Sequence, residues 1–201
     1  MLPCMRIEYS NSQDLSNSHD QATECPGGQS LLGEDDISNK LRRLAAQIAE
    51  MHPEGLLSFV GIHTRGVTVA ERVKGILLEM GREVQIGTLD ISFYRDDLDH
   101  KVTNPTVRAS EISFEIEGSR IIIFDDVLYT GRTIRSAIEG VSKYGRPSKV
   151  ELAVLIDRGN RELPIQPDYV GHVIETERLD SIKVCFKEHD GEDSISLIPK
   201  T

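Results

Sequence analysis

Hydrophobic residues from about residue 35 onward follow helical and extended patterns that alternate along the chain. In the helical segments, apolar side chains recur at intervals of three, four and seven residues. In the extended segments, apolar residues form short runs bounded by turn residues. The first helix is predicted to begin near Asp35 and to end before Pro53. Further helices are predicted at 67–80 and 133–144, and strands at 56–62, 84–94, 111–116, 121–124, 150–156, 169–174, 182–186 and 194–198.

Strands and helices alternate through the middle of the chain, and several strands are short, continuous and apolar. This pattern is typical of a parallel sheet that is covered on both faces. The sequence therefore predicts an α/β domain with a parallel central sheet flanked by helices. Ligands of such sheets bind at the carboxyl ends of the strands. Residues 95–110 are polar, charged and interrupted by Pro105, which predicts a long loop.

The first 33 residues differ from the rest of the chain. They are rich in Ser, Asn, Gln, Asp and Gly and have no apolar period, which predicts a disordered tail over 1–33 and a folded domain over 34–201. Translation could begin at Met1 or at Met5, and the sequence does not choose between them.

Charge and cysteine content narrow the class of protein. The 201 residues carry a formal net charge of −10, which argues against a protein that binds nucleic acid over a whole face but leaves room for a local basic patch. The three cysteines are far apart and odd in number, so we expect no disulfide framework and a reducing compartment. Without a signal peptide or a membrane-length apolar run, a cytoplasmic location is expected.

One segment combines a buried strand, two acidic residues and a polar loop before a helix. It reads Ile-Ile-Ile-Phe-Asp-Asp-Val-Leu-Tyr-Thr-Gly-Arg-Thr over 121–133. The helix N-terminus and the hydroxyls of Thr130 and Thr133 suit a phosphate, and Gly131 lets the backbone come close. Asp125 and Asp126 could accept hydrogen bonds from sugar hydroxyls or help to hold Mg²⁺. The segment thus predicts a ribose phosphate site, and the alternative is an aspartate pair that only caps the turn.

Residues 124–133 resemble the signature of type I phosphoribosyltransferases that binds 5-phosphoribosyl-1-pyrophosphate (PRPP), in the wording of the PyrR family of pyrimidine operon regulators and uracil phosphoribosyltransferases. The resemblance extends from about residue 36 to the C-terminus. It implies a flexible loop, a small hood, Mg²⁺ as cofactor, and PRPP, uracil and UMP as ligands. It also implies that Asp125 and Asp126 contact the ribose and, through PRPP, Mg²⁺. The 5′-phosphate would be held by Val127, Leu128, Tyr129, Thr130, Gly131, Arg132 and Thr133.

Two further segments resemble the family's pyrophosphate-binding parts. The segment Gly-Ile-His-Thr-Arg-Gly at 61–66 resembles the pyrophosphate loop, which implies that Thr64, Arg65 and Gly66 bind pyrophosphate. From the residues alone, an arginine on a surface turn is the alternative. Residues 89–98 resemble the strand that leads into the flexible loop, where Arg95 would lie over the leaving pyrophosphate. The alternative there is an ordinary charged loop.

Residues 154–165 resemble the segment that lies near the base in this family. The resemblance implies that Arg158 takes part in nucleotide binding. Asn160 stands where the family usually has His, a departure that bears on recognition of the base.

Three functions remain open. The first is transfer of phosphoribose from PRPP to uracil, with Arg65 and Arg95 neutralising the leaving pyrophosphate while Asp125 and Asp126 hold the ribose. The second is an RNA-binding regulator that senses UMP or PRPP with little or no catalysis. The third is a type I phosphoribosyltransferase that uses a purine or orotate.

The regulatory reading depends on basic residues outside the pocket. The resemblance implies binding to the leader mRNA of a pyrimidine operon, with Lys40, Arg42 and Arg43 on the first helix as candidates, although these residues could equally form the solvated side of an amphipathic helix. Gln166 and His172 stand where the family typically has Arg and Lys, which weakens the phosphate contacts that dominate RNA affinity. The resemblance also implies a homo-oligomer, either a dimer or a larger assembly.

Overall fold

The computed structural model describes residues 28–92 and 110–200 of the chain. Its four helices and eight strands, counted over these residues, follow one another in the order β1 (Gln29–Leu32), α1 (Glu34–Met51), β2 (Leu57–Ile62), α2 (Arg65–Glu79), β3 (Val84–Leu89), β4 (Arg120–Leu128), α3 (Arg132–Val141), β5 (Lys149–Asp157), β6 (Tyr169–Val173), β7 (Ser181–Cys185), α4 (Lys187–Asp190) and β8 (Ser194–Ile198).

A five-stranded parallel sheet forms the centre of the fold, in the order β3-β2-β4-β5-β6. Successive side chains of β4 face opposite sides of the sheet, as the strand geometry requires. Ile122 and Phe124 pack against α1 and α2, whereas Ile121 and Ile123 pack in a second cluster with α3. Both faces of the sheet are therefore covered, and the predicted parallel α/β architecture is confirmed.

A small antiparallel sheet of three strands, in the order β1-β8-β7, forms the hood. Val184, Phe186 and Ile195 from this region belong to the same buried cluster as α1 and α2. The hood is thus attached to the α1/α2 side of the central sheet.

The structure corrects the predicted tail at its C-terminal end. Residues 29–32 were assigned to the tail, but they form β1 and pair with β8, with Gln29 opposite Leu197. A strand of four residues is too short to show a period, and a partner about 165 residues further along supplies its hydrogen bonds. Residues 1–27 lie outside the described part of the chain.

Three other predictions need correction. The strand predicted at 111–116 is absent: Glu111 forms one isolated bridge to Thr88, and the buried Ile116 contributes packing without pairing. The strand predicted at 121–124 continues to Leu128, because residues up to that point pair with β5. Cys185 is disulfide-bonded, contrary to expectation, and the other two cysteines lie outside the described residues. No helix among the described residues is long and apolar enough to span a membrane.

Candidate active site

The two acidic residues lie at the carboxyl end of β4. Beside β4, the connections between strands run to opposite sides of the sheet. From β2 the chain crosses to β3 on one side, whereas from β4 it crosses to β5 on the other. The carboxyl ends of β2 and β4 therefore flank a crevice of the kind in which open α/β sheets bind ligands. Asp125 is only 6% exposed, and one of its carboxylate oxygens accepts a hydrogen bond of 3.0 Å from the Asp126 N–H.

The loop from β4 to α3 surrounds a cavity of about 260 Å³. Gly131 caps the N-terminus of α3 with a φ of 91°, a left-handed conformation that glycine adopts without strain. The hydroxyl of Thr130 accepts a hydrogen bond from the Arg132 N–H at 3.3 Å. The cavity lies at the positive end of α3, which suits a phosphate group. Its lining is formed by Asp125, Val127, Leu128, Tyr129, Thr130, Gly131, Arg132, Thr133, Ser136 and Glu162.

A second cavity of about 270 Å³ lies between the ends of β2, β3 and β4. It brings the predicted pyrophosphate residues Thr64 and Arg65 to the same space as Asp125 and Asp126. The two cavities share Asp125, Val127 and Thr133, so they form one continuous polar region. The remaining lining residues are Ile62, His63, Asp90, Ile91 and Ser92.

Gly66 allows α2 to begin close to β4. A Cβ atom at this position would lie 2.5 Å from the Phe124 carbonyl oxygen and 3.1 Å from the Cα of Asp125. Because both of these atoms are backbone, a larger residue would force α2 away from the strand that carries the aspartates. Gly66 thus sets the spacing between Arg65 and Asp125 and does not itself line either cavity.

Burial governs the electrostatics of the aspartate pair. Loss of solvent raises the pKa of Asp126 above its ordinary value of 3.8, and the hydrogen bond with Asp125 and the charge of Arg65 offset only part of this effect. A cation or a set of hydroxyl donors entering the cavity would stabilise the ionised form. The pair therefore has the electrostatic character of a site that is completed by its ligand.

The acidic pair fits a Mg²⁺ ion that is shared with a ligand. Among residues 28–92 and 110–200, no group of three or more His, Cys, Asp or Glu side chains is placed to hold a metal ion. Mg²⁺ requires six oxygen ligands in octahedral geometry and commonly takes one or two from carboxylates and the others from water and phosphates. Asp125 and Asp126 can supply that smaller share.

Within the described part of the chain, Arg158 is, like Gly66, a predicted substrate-binding residue that lines neither cavity. Arg158 stacks on the ring of Tyr129, with 4.1 Å between its Cζ and the ring centroid. It also donates hydrogen bonds of 3.1 Å to the Thr176 hydroxyl and to the Glu177 carbonyl. Arg158 thus links the loop between β4 and α3 to the segment leading into the hood. Arg95 lies outside the described residues.

Asn160, the residue that departs from the family's usual His, lies near the same link. It has a φ of 57° and donates a hydrogen bond of 3.1 Å to the Thr176 carbonyl. Asn adopts this left-handed conformation more readily than most other residues.

Several residues that support the site were missed from the sequence. Arg161 donates hydrogen bonds to the carbonyl oxygens of Tyr129 and Ile165 and to the Asp157 carboxylate. It thereby fixes the loop between β4 and α3 against the end of β5. Glu162 lines the first cavity and accepts hydrogen bonds from Arg132 and Arg178. An arginine and a glutamate in the loop that follows a buried strand were the available signal.

Two of the three basic residues predicted to contact RNA, Lys40 and Arg43, lie close enough to His172 to affect its charge. Arg42 and Arg43 are exposed on α1, and Lys40 is half-buried. Burial, followed by the positive charges of Lys40 and Arg43, lowers the pKa of His172 on β6. The neutral form of His172 is therefore favoured, and Lys40 and Arg43 supply the positive charge of this surface.

Comparison with known proteins assigns the chain to a class. The sequence profile of the phosphoribosyl transferase domain matches residues 30–189, so the chain belongs to the phosphoribosyltransferase family. Among solved structures, a hypoxanthine phosphoribosyltransferase of Trypanosoma cruzi superposes with a TM-score of 0.67 at 17% identity, covering 88% of this chain and 94% of that one. A hypoxanthine phosphoribosyltransferase of Staphylococcus aureus gives 0.64 at 23% identity, covering 85% and 91%. These two likenesses show the fold.

Within that class, the chain is a member of the PyrR family. The bifunctional protein PyrR of Elusimicrobium minutum is 47% identical over 168 residues, which cover 83% of this chain and 94% of that protein. The bifunctional protein PyrR of Thermus aquaticus is 45% identical over 173 residues, covering 85% and 95%. The resemblance recognised in the sequence is thereby confirmed.

Proposed function

We propose that the protein transfers the phosphoribosyl group of PRPP to uracil, forming UMP and pyrophosphate, and that it also regulates pyrimidine genes in the manner of PyrR. One observation carries the enzymatic part: the two cavities meet at Asp125, with a helix N-terminus on one side and Arg65 on the other. PRPP has two anionic ends joined by a ribose. The order of phosphate loop, carboxylates and arginine matches that arrangement.

The proposed reaction breaks the bond between ribose C1 and the pyrophosphate oxygen and forms a bond from C1 to N1 of uracil, which gives up its proton. Positive charge develops on the sugar and negative charge on the pyrophosphate, so catalysis depends on positioning and on electrostatic stabilisation. Asp125 and Asp126 hold the ribose hydroxyls, and Arg65 neutralises the leaving group together with Arg95. Bound Mg²⁺ would supply further neutralisation of the pyrophosphate.

The choice of uracil rests on membership of the PyrR family and on the segment at 154–165. In this segment Arg161 fixes the phosphate loop and Arg158 stacks on Tyr129, so the end of β5 is structurally continuous with the proposed PRPP site. We propose a homo-oligomer in the cytoplasm on the same family basis.

The regulatory part of the proposal is supported by the basic surface on α1. Lys40, Arg42 and Arg43 lie on one helix, next to the strand that carries His172. With a net charge of −10, this local patch would have to supply most of the contacts to leader mRNA phosphates. We therefore expect RNA affinity to fall steeply with added salt and to be lost when Arg42 and Arg43 are both replaced by Glu.

The deciding experiment measures product formation from PRPP and Mg²⁺ with uracil, hypoxanthine, orotate or no base. We expect UMP with uracil alone, and no product from the Asp125→Asn/Asp126→Asn double variant. A purine or orotate nucleotide would instead identify a phosphoribosyltransferase of different specificity. If no base gives product although PRPP and UMP bind, the enzymatic proposal is wrong and the pocket belongs to a regulator that senses nucleotides.

A further inference from the structure

One face of α2 binds the segment that follows β7. The side chains of Arg65, Thr68 and Arg72 lie three and four residues apart, so they share a face of the helix. Thr68 is hydrogen-bonded to His189 at 2.8 Å between Oγ1 and Nε2. Arg72 binds Glu188 and Asp193 and also lies over the ring of Phe186. The hood therefore reaches the helix whose first residue lines the proposed pyrophosphate cavity.

Asp190 is the member of this segment that contacts Arg65. Its Oδ1 accepts a hydrogen bond of 2.7 Å from Arg65 Nη2, and its side chain is only 2% exposed. Its Oδ2 accepts a hydrogen bond of 2.9 Å from the N–H of Phe186, a residue of the buried core. Both oxygens are thus engaged, and the carboxylate is held in one orientation by the backbone of the hood.

Arg65 has few other restraints. Among the described residues, the side chain of Arg65 forms one hydrogen bond, which is to Asp190. Its Nε is buried without a hydrogen-bond partner there. Its side chain is 32% exposed and lines the cavity that contains Asp125 and Asp126. A long arginine side chain in such a position would otherwise sample many rotamers, at an entropic cost when it meets its ligand.

We propose that Asp190 is a positioning residue for phosphoribosyl transfer, which holds the Arg65 guanidinium at the cavity so that it meets the pyrophosphate of PRPP. This inference rests on the proposed function. Asp190 does not reach the cavity itself, since it is absent from the cavity lining. It acts through Arg65, and the hood thereby contributes to a site that otherwise consists of residues from the central sheet and its loops.

The test compares variants of Asp190 and Glu188. Asp190→Asn preserves the size of the side chain, and its amide oxygen can still accept from Phe186, but its amide nitrogen would then face the Arg65 donors. Glu188→Gln is the matched control, because Glu188 binds the same face of α2 through Arg72. Pyrophosphate and PRPP binding are measured by calorimetry with Mg²⁺, and KM and kcat are measured for PRPP and uracil.

We expect Asp190→Asn to weaken pyrophosphate and PRPP binding by about tenfold to a hundredfold, as misplacement of a charged group does. The KM for uracil should stay unchanged, and Glu188→Gln should bind pyrophosphate like the wild type. In an Arg65→Ala background, Asp190→Asn should cause no further loss. Equal pyrophosphate affinity in the Asp190→Asn and Glu188→Gln variants, or an additive loss in the Arg65→Ala background, would overturn the inference.

Calorimetry with pyrophosphate keeps this test separate from the proposed reaction. If the wild type binds pyrophosphate but transfers phosphoribose to no base, the proposed function fails while the coupling between Arg65 and Asp190 is still measured. A loss of thermal stability in Asp190→Asn without a change in pyrophosphate affinity would assign Asp190 a structural function only and would also contradict the inference.

Discussion

Both ends of the central sheet bury ionisable groups, but the pKa values of these groups are shifted in opposite directions. At the carboxyl end, Asp125 and Asp126 lie side by side, and burial raises the pKa of Asp126. At the amino end, Glu151 is buried like Asp125, with a side chain that is 1% exposed. The two ends differ in the direction in which their surroundings shift the pKa of the carboxyl group.

Glu151 at the amino end is surrounded by donors. His52, at the end of α1, lies 2.8 Å from its carboxylate through Nε2, and Tyr169 donates to the same oxygen at 3.2 Å. Arg120 donates to the other His52 ring nitrogen at 2.9 Å, so Nε2 carries the proton that Glu151 accepts. Lys149 binds the second Glu151 oxygen. Burial works to raise the pKa of Glu151, but the hydrogen bonds from Lys149 and His52 outweigh it and lower that pKa.

This comparison separates a structural network from a ligand site. A buried charge whose partners are all within the protein stabilises the fold only when it is ionised. An acidic side chain whose pKa burial raises, as it does for Asp126, reduces stability in the free protein while it is ionised and favours binding of a cation or of hydroxyl donors. Variants at the two ends of the sheet test this distinction, and Gly66→Ala tests the packing that supports the carboxyl end. They follow from the largest expected effect to the smallest.

The largest effect is expected on activity when Asp126 is replaced by Asn. The variant keeps the shape of the side chain but loses the negative charge that would hold the ribose and its Mg²⁺. We expect kcat/KM for PRPP to fall by about 10²–10³-fold, the loss that follows removal of one electrostatic contact in other enzymes. Steady-state rates of UMP formation measure it. Asp35→Asn, which removes an exposed charge on α1, is the control and should retain full activity.

The next largest effect is expected on stability from Gly66→Ala. The added methyl group would lie 2.5 Å from the backbone oxygen of Phe124, which cannot rotate away. We expect a loss of about 3 kcal/mol in the free energy of unfolding, together with weaker PRPP binding. Gly75→Ala in the same helix is the control. Nothing lies within 4 Å of the new atom there, so that variant should gain up to about 1 kcal/mol. Equal stability of the two variants would contradict the close approach of α2 to β4.

A smaller loss of stability is expected from Glu151→Gln, without an effect on catalysis. The variant removes the charge that Lys149 and His52 stabilise, and we expect a loss of about 2 kcal/mol at neutral pH. Since the folded-state pKa of Glu151 is lowered, its stabilisation is present above the ordinary value of 4.5 and disappears as the pH falls through the folded-state value. Urea unfolding of both proteins across that range measures this. A constant difference at every pH would rule out the charge as its source.

The smallest effect is a gain in stability from Asp126→Asn in the free protein. Because the folded-state pKa of Asp126 is raised, the folded protein binds its proton more tightly than the unfolded chain does. The stability of the wild type should therefore fall as the pH rises from the ordinary value of 3.8 through the folded-state value. The Asn variant lacks this slope, so its melting temperature should exceed that of the wild type at neutral pH and converge with it in acid.

Helices and strands were predicted correctly where the spacing of apolar residues reflects the burial of one face or of a whole strand. The first helix was recognised from its apolar spacing because one of its faces packs on the sheet, and β2 was recognised because all six of its residues are buried. The prediction failed at 111–116, where apolar residues are buried without strand pairing. Apolar character indicates burial, but it does not indicate which backbone provides hydrogen bonds.

The candidate site combines a contiguous segment with contacts between distant parts of the chain. The order of strand, aspartates, loop and helix over 121–133 was predicted, because these parts are contiguous in the chain, and their lining of a cavity is observed. Their function in binding phosphate stays a prediction. The assignment of Arg158 to nucleotide binding stays a prediction, and the structure adds contacts of its guanidinium with Tyr129, Thr176 and Glu177. The segment that would have revealed this contact lies nearly 20 residues further along the chain.

The sequence alone determined the parallel α/β architecture, the class of the protein and the position of the aspartate pair, because each depends on periodicity or on one contiguous motif. Tertiary structure alone decided that Asp190 holds Arg65, from 125 residues away, and that His52 partners Glu151, from 99 residues away. Such contacts depend on which strands become neighbours and on how helices pack across them. The free energy of a buried charge is set by those neighbours, and not by the residues beside it in the chain.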